Sequence, residues 1–216
     1  MDNLDIYEDI LDHTEQYTRR TLKPAKTMKD IFLALTLAQL TEDNIADLSF
    51  LKEERRFAKV LENYDYKLIL KKYKYVDLMN LVLDEFKPTR KEPYKKLSHA
   101  AYLAAKYLIR FQDFDHYRKH IALRTNNDEH TLVFLRDFRH TASLPSMFFN
   151  KTCLFFQKTG LLDIPVVNQT SKRFMMEEYN YPDNNEEIFL SLVSICHDNH
   201  IHGYELNDRL ECYYTE

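Results

Sequence analysis

The stretch that decides the fold is Lys151-Thr-Cys-Leu-Phe-Phe-Gln-Lys-Thr-Gly160, followed by Leu161-Leu-Asp-Ile-Pro-Val-Val-Asn168 and Gln169-Thr-Ser-Lys-Arg-Phe174. The first segment carries apolar side chains at helical spacing with a glycine behind them, the pattern of a helix closed by a left-handed residue. Ile164-Pro165 cannot continue that helix, and the polar Asn168 precedes the start of the next. The same periodicity extends outward through Met28, Ile31, Phe32, Leu35 and Ala38, through Leu68, Leu70, Tyr73, Val76, Leu78 and Met79, and through Ala101, Leu103, Ala104, Tyr107 and Leu108. Strand alternation is nowhere convincing. The pattern predicts an all-α protein with helices near 3–19, 28–40, 45–63, 66–86, 94–111, 114–122, 128–140, 148–159, 169–178, 185–200 and 204–213.

Punctuation supports this division. The chain has 2 glycines and 6 prolines in 216 residues, so helix breakers are scarce and connections short. Thr27, Asp113, Asn126 or Asn127, and Pro93 or Ser98 stand where helices should begin, and the Asp183–Glu187 run places carboxylates at another positive helix start. Gly160 and Gly203 both follow periodic segments, and each is expected to serve as a left-handed cap.

Composition is that of a folded globular chain, 44% hydrophobic and 30% charged. No apolar run reaches the roughly 20 residues a membrane helix needs, and the acidic start Met-Asp-Asn-Leu-Asp lacks the features of a signal peptide. A cytoplasmic location is expected, and the three cysteines are read as inert thiols in a reducing compartment. The net charge of −4 conceals an asymmetry: residues 66–173 carry 20 basic and 10 acidic side chains, residues 1–65 carry 9 and 14, and residues 174–216 carry 1 and 10. One helical unit of two lobes is expected, with a basic central lobe at 66–173 and an acidic flanking lobe formed by 1–65 and 174–216. A concentrated basic region matters more for phosphate binding than the overall sum.

In its order of lysine, helix, glycine, apolar turn and polar helix start, 151–174 resembles the core of the helix–hairpin–helix (HhH-GPD) DNA glycosylases, closest to the archaeal-type 8-oxoguanine glycosylase/lyases. Two further stretches are similar to that family: Lys96–Tyr117 to the helix before its hairpin and the short helix after it, and Ile188–Tyr214 to its C-terminal helix. The resemblance implies a two-lobed helical protein with a central cleft that binds DNA and needs no cofactor or metal. Lys151 would attack the sugar as a Schiff-base nucleophile, because an amine in an apolar setting is easier to deprotonate. Asn168 would stand where the family places a charge-stabilising aspartate, and an amide carries no charge to supply that stabilisation. Met147, Phe148 and Phe149 would wedge into the stack, Lys172 and Arg173 would meet the nucleic acid, and Tyr213 would border the base pocket. The segment Leu144–Asn150 lacks the glycines through which the family's hairpin approaches phosphate. A catalytically silent relative, binding DNA or a protein, is the alternative.

Three other patterns bear on function. Arg124 and His130 have the loose spacing of HEPN-type helical ribonucleases, with consecutive asparagines between them that favour a loop. His197, His200 and His202 lie close together, and their placement near a helix carboxyl end explains them without a metal. Lys71-Lys-Tyr-Lys-Tyr75 and Arg90-Lys-Glu-Pro-Tyr-Lys-Lys96 interleave cations with aromatic rings, the composition of surfaces that track a backbone and stack on bases.

Overall fold

A computed structural model describes residues 3–12, 14, 22–40 and 54–214. Among them are twelve α-helices and no strand: α1 (Asn3–Asp12), α2 (Met28–Ala38), α3 (Glu54–Val60), α4 (Tyr66–Lys72), α5 (Tyr75–Phe86), α6 (Glu92–Leu108), α7 (Phe114–Arg124), α8 (Asp128–Thr141), α9 (Phe149–Lys158), α10 (Gln169–Glu177), α11 (Asn185–Asp198) and α12 (Gly203–Tyr213). A 3-10 turn covers Glu62–Tyr64. The all-α expectation is met. No described helix is long and apolar enough to cross a membrane.

The chain divides into two compact units, Ala25–Ala122 with Asp137–Lys151, and Met1–Pro24 with Leu123–Arg136 and Thr152–Glu216. By sequence the first carries 21 basic and 15 acidic side chains (+6) and the second 9 and 19 (−10), so they are called the basic and the acidic unit here. These boundaries follow packing and differ from the contiguous charge blocks of the sequence. Helices α7, α8 and α9 are each divided between the two.

In the basic unit α6 is the central element, packed against α2, α4 and α5. Its inner face is Leu97, Ala101, Ala104, Ala105 and Leu108, all fully buried, and the alanines let Ile31, Phe32, Leu35, Leu78 and Val82 close on it. Thr27 caps α2 in a reciprocal pair with Asp30, and Asp65 caps α4 through the Lys67 and Leu68 amides. The expected helix 66–86 is two helices. Tyr73 is extended (φ −127°, ψ 139°) between them, and its phenol donates to Glu62 at 2.7 Å. Pro93 sits in the first turn of α6, where its missing N–H costs nothing.

In the acidic unit α1 packs on α11 and α12, and α10 on α11 and α12. The core holds Ile6, Ile10, Phe156, Phe174, Phe189, Leu192, Ile195, Leu206 and Leu210. Asn184 caps α11, inside the Asp183–Glu187 run expected to open a helix. Of the two glycines only Gly160 is a left-handed cap (φ +65°), with the Leu161 amide returning to the Phe156 carbonyl at 3.2 Å. Gly203 opens α12 instead. The left-handed residue that closes α11 is His200 (φ 52°), and the Ile201 amide bonds the Cys196 carbonyl at 3.0 Å behind it.

The acidic unit also concentrates phenols around one carboxylate. Tyr179 donates to Asp9 Oδ2 at 2.7 Å and Tyr213 reaches the same oxygen at 3.5 Å. Burial and the Asp9 charge push the Tyr213 phenol up to about 12 and raise Tyr179 further; burial carries the Cys196 thiol to about 12. Raised pKa values mean that the folded state holds these protons more tightly than the unfolded chain does. The stability they contribute is complete below the ordinary values of 9.0 for the thiol and 10.0 for the phenols, and is lost as pH climbs toward 12. Thermal unfolding followed by circular dichroism should show a falling Tm from about pH 9.5 upward, and Tyr213→Phe should shrink that fall. A flat Tm between pH 9 and 11 would contradict the cluster's protonation.

Candidate functional site

Lys151 lies in the first turn of α9, within the basic unit. Its Nζ donates to the Leu40 carbonyl at 2.8 Å, just beyond the C-terminus of α2, where carbonyls lack intrahelical partners and a cation is favoured. Burial lowers the amine's pKa from its ordinary value. Burial thus eases loss of its proton, and the bond to Leu40 ties α9 to the end of α2.

Asn168, in the acidic unit, is the N-cap of α10. Its Oδ1 accepts the Ser171 amide at 2.8 Å and its own amide donates to Ser171 Oγ at 2.9 Å. Both exchanges are those of a helix start. The link before it is held by buried amide side chains that its sequence does not announce. Asn207 accepts the Val166 amide at 2.6 Å and donates to the Val166 carbonyl at 2.7 Å. Gln157 donates to Asn207 at 2.9 Å and to the Ile164 carbonyl at 2.8 Å. With its main chain paired this way, an extended segment can be buried without a strand partner.

The other expected contacts fall in two groups. In the basic unit Met147 is 1% exposed and belongs to the core, Phe149 is half-buried, and Phe148 is 57% exposed. The Arg139 guanidinium lies 5.0 Å from the Phe148 ring, a cation–π contact that covers part of it. In the acidic unit Lys172 pairs with Asp183, while Arg173 pairs with Glu177 at 2.7 Å and stacks on Tyr214 at 4.4 Å. Tyr213 packs edge-on to Phe174 at 5.1 Å.

His202 pairs with Asp163 at 2.5 Å and His197 with Asp128 at 3.5 Å. Among the described residues no three His, Cys, Asp or Glu side chains gather as a metal site would require. Arg124 ends α7 and His130 lies in the first turn of α8, with a non-helical break between. Asn127 Oδ1 accepts the His130 amide at 2.8 Å, and the ring Nδ1 lies 2.5 Å from Asn126 Oδ1.

A surface cluster in the basic unit joins the two basic–aromatic stretches. Lys95, His99, Tyr102 and Lys106 recur at spacings of four, three and four on α6, the face opposite its alanine-rich core side. Tyr75, the first residue of α5, packs edge-on to His99 at 5.2 Å and tilted to Tyr102 at 6.2 Å. Lys106 Nζ lies 5.8 Å from the Tyr102 ring. Lys71 and Lys74 precede Tyr75 and Lys96 precedes His99, all exposed. The Lys-Tyr adjacency was legible in the sequence; that His99 and Tyr102 complete the cluster follows only from the packing of α5 on α6. No protein-family model matches this sequence, and neither a curated protein nor a solved structure matches it.

Proposed function

We propose that this chain binds nucleic acid, single-stranded or locally opened DNA foremost, through the exposed face of α6 and the α4–α5 junction. The observation that carries it is the Tyr75–His99–Tyr102 ring cluster set among Lys71, Lys74, Lys96 and Lys106. Rings at the surface offer faces to bases of any identity, and flanking ammonium groups neutralise the phosphates that connect them. The unit's +6 charge favours approach of a polyanion. The candidate wedge and helix-start residues support this less: Met147 is buried, and Lys172 and Arg173 already face carboxylates.

Glycosylase/lyase chemistry at Lys151 is the alternative, favoured by the lowered amine. Its bond to Leu40 and the capping role of Asn168 give both residues structural duties that need no substrate. One experiment separates the two. A labelled 20-nucleotide single strand should bind by fluorescence anisotropy, and neutralising about four phosphates implies roughly a fiftyfold loss between 50 and 200 mM salt. Borohydride added to a complex with abasic-site duplex should trap no covalent adduct. An adduct formed by the wild type and missing from Lys151→Gln would assign the lyase instead. Failure to bind at low salt would remove the binding proposal.

A further inference from the structure

The basic unit has a concave feature apart from the α6 face. A cleft of about 450 Å³ lies where α2, α4 and α7 begin, lined by Tyr64, Tyr66 and Phe114 together with Lys26, Lys29 and Lys67. The helix amides there are already used. Asp30 N bonds Thr27 Oγ1, Lys67 N and Leu68 N bond Asp65, and His116 N bonds Asp113. A ligand would therefore meet side chains. Asp65 and Asp113 also line the cleft, so its formal charge is +1, with both carboxylates engaged by main-chain N–H groups.

Tyr66 supplies the cleft with a hydrogen-bond donor. The residue is only 5% exposed, it lines the cleft, and its hydroxyl has no hydrogen-bond partner among the described residues. The hydroxyl is not among the fully buried unpartnered atoms, so it opens to solvent at the cleft, where a ligand can accept from it. Burial, with the Asp65 and Asp113 charges, raises its pKa and keeps it a donor. Lys67 Nζ is held 5.8 Å from the Tyr66 ring and donates to the Gln112 carbonyl at 3.1 Å. Tyr64 is fixed at the cleft by a left-handed turn through Glu62, Asn63 and Tyr64 (φ 52°, 53° and 63°), anchored where Glu62 accepts from Lys72 and Tyr73 at 2.7 Å each.

We propose that this cleft holds one nucleotide, its base against Tyr64, Tyr66 and Phe114, its phosphate on Lys26, Lys29 and Lys67, and the free hydroxyl of Tyr66 donating to it. The volume falls within the range of small-ligand sites. The nucleotide is either a free mononucleotide or the 5′-phosphorylated end of a strand. The second source rests on the nucleic-acid reading proposed above; the first does not. Lys67 and Lys71 share one face of α4, a path from the cleft toward Tyr75.

The test titrates AMP and adenosine by calorimetry, and 5′-phosphorylated and 5′-hydroxyl oligonucleotides by anisotropy. AMP should bind about tenfold or more tightly than adenosine. Tyr66→Phe should weaken AMP several-fold, and Lys26→Ala/Lys29→Ala/Lys67→Ala should abolish saturation. A preference for the 5′-phosphate that Tyr66→Phe removes identifies a strand end; AMP binding without that preference identifies a free nucleotide. Lys96→Glu/Lys106→Glu should leave AMP binding intact, so loss of strand affinity alone reports on the α6 surface. The proposal is overturned if AMP does not saturate by about 10 mM and the 5′-phosphate adds nothing, or if both Tyr66→Phe and the triple variant bind as the wild type does.

Discussion

Gly203→Ala will strip the acidic unit of a large part of its stability, although alanine is the better helix former. A Cβ at position 203 would lie 2.1 Å from the Ile164 carbonyl carbon, 2.4 Å from its oxygen and 2.4 Å from Pro165 N. These are main-chain atoms of the 161–168 link, held by Gln157 and Asn207. They cannot swing aside as the end of a flexible side chain would. Helix propensity alone would favour alanine by about 1 kcal/mol. Overpacking against fixed backbone costs about 1–3 kcal/mol or more, and separations this short place the substitution at or above the upper end. The expected net loss of about 3 kcal/mol would lower Tm by roughly 10 °C in a chain of this size. Gly160→Ala is the informative comparison. There φ is +65° and the new Cβ would meet Pro24 Cβ at 2.7 Å, a side-chain atom, so the loss should be smaller, about 1–2 kcal/mol. Urea denaturation of both variants decides the order. A Gly203→Ala protein as stable as the wild type would show that the link and α12 do not approach as described.

The two glycines also mark how far the sequence could be read. Each follows a periodic segment, and nothing local distinguishes a left-handed residue from a point of close approach between segments 39 residues apart. Helix starts were legible because caps act over three residues: Thr27, Asp113 and Asn127 each accept the amide their position predicted. The break at Tyr73 was not, since neither proline nor glycine stands there and the phenol's partner, Glu62, belongs to another turn. Gln157 and Asn207 read as ordinary polar helix positions, and their value lies in pairing across 50 residues. The helix–link–helix order of 151–174 was visible in full. What Lys151 and Asn168 do within it was not, because the Leu40 carbonyl is 111 residues away and a helix cap has the same sequence pattern as a substrate-facing amide.

The α6 surface gives the second large effect. Lys96→Glu/Lys106→Glu will reduce affinity for single-stranded DNA by about ten- to a hundredfold near 100 mM salt. Both side chains are exposed and on the solvent face of α6, so reversal should leave the Leu97, Ala101, Ala104 and Leu108 core untouched. Removing two phosphate contacts should flatten the salt dependence by roughly 1.4 for a single strand and 1.8 for a duplex, in units of log K per log salt. The slope is the discriminating readout, since a variant that merely misfolds would lose binding without a defined change in it. Tyr102→Ala tests the other half of the cluster. It removes a ring packed with Tyr75 and facing Lys106, so affinity should fall about tenfold while the salt slope stays as in the wild type. If instead the charge reversal left the slope unchanged and Tyr102→Ala altered it, cations elsewhere on the basic unit would carry the phosphates, and the α5–α6 ring cluster would be packing alone.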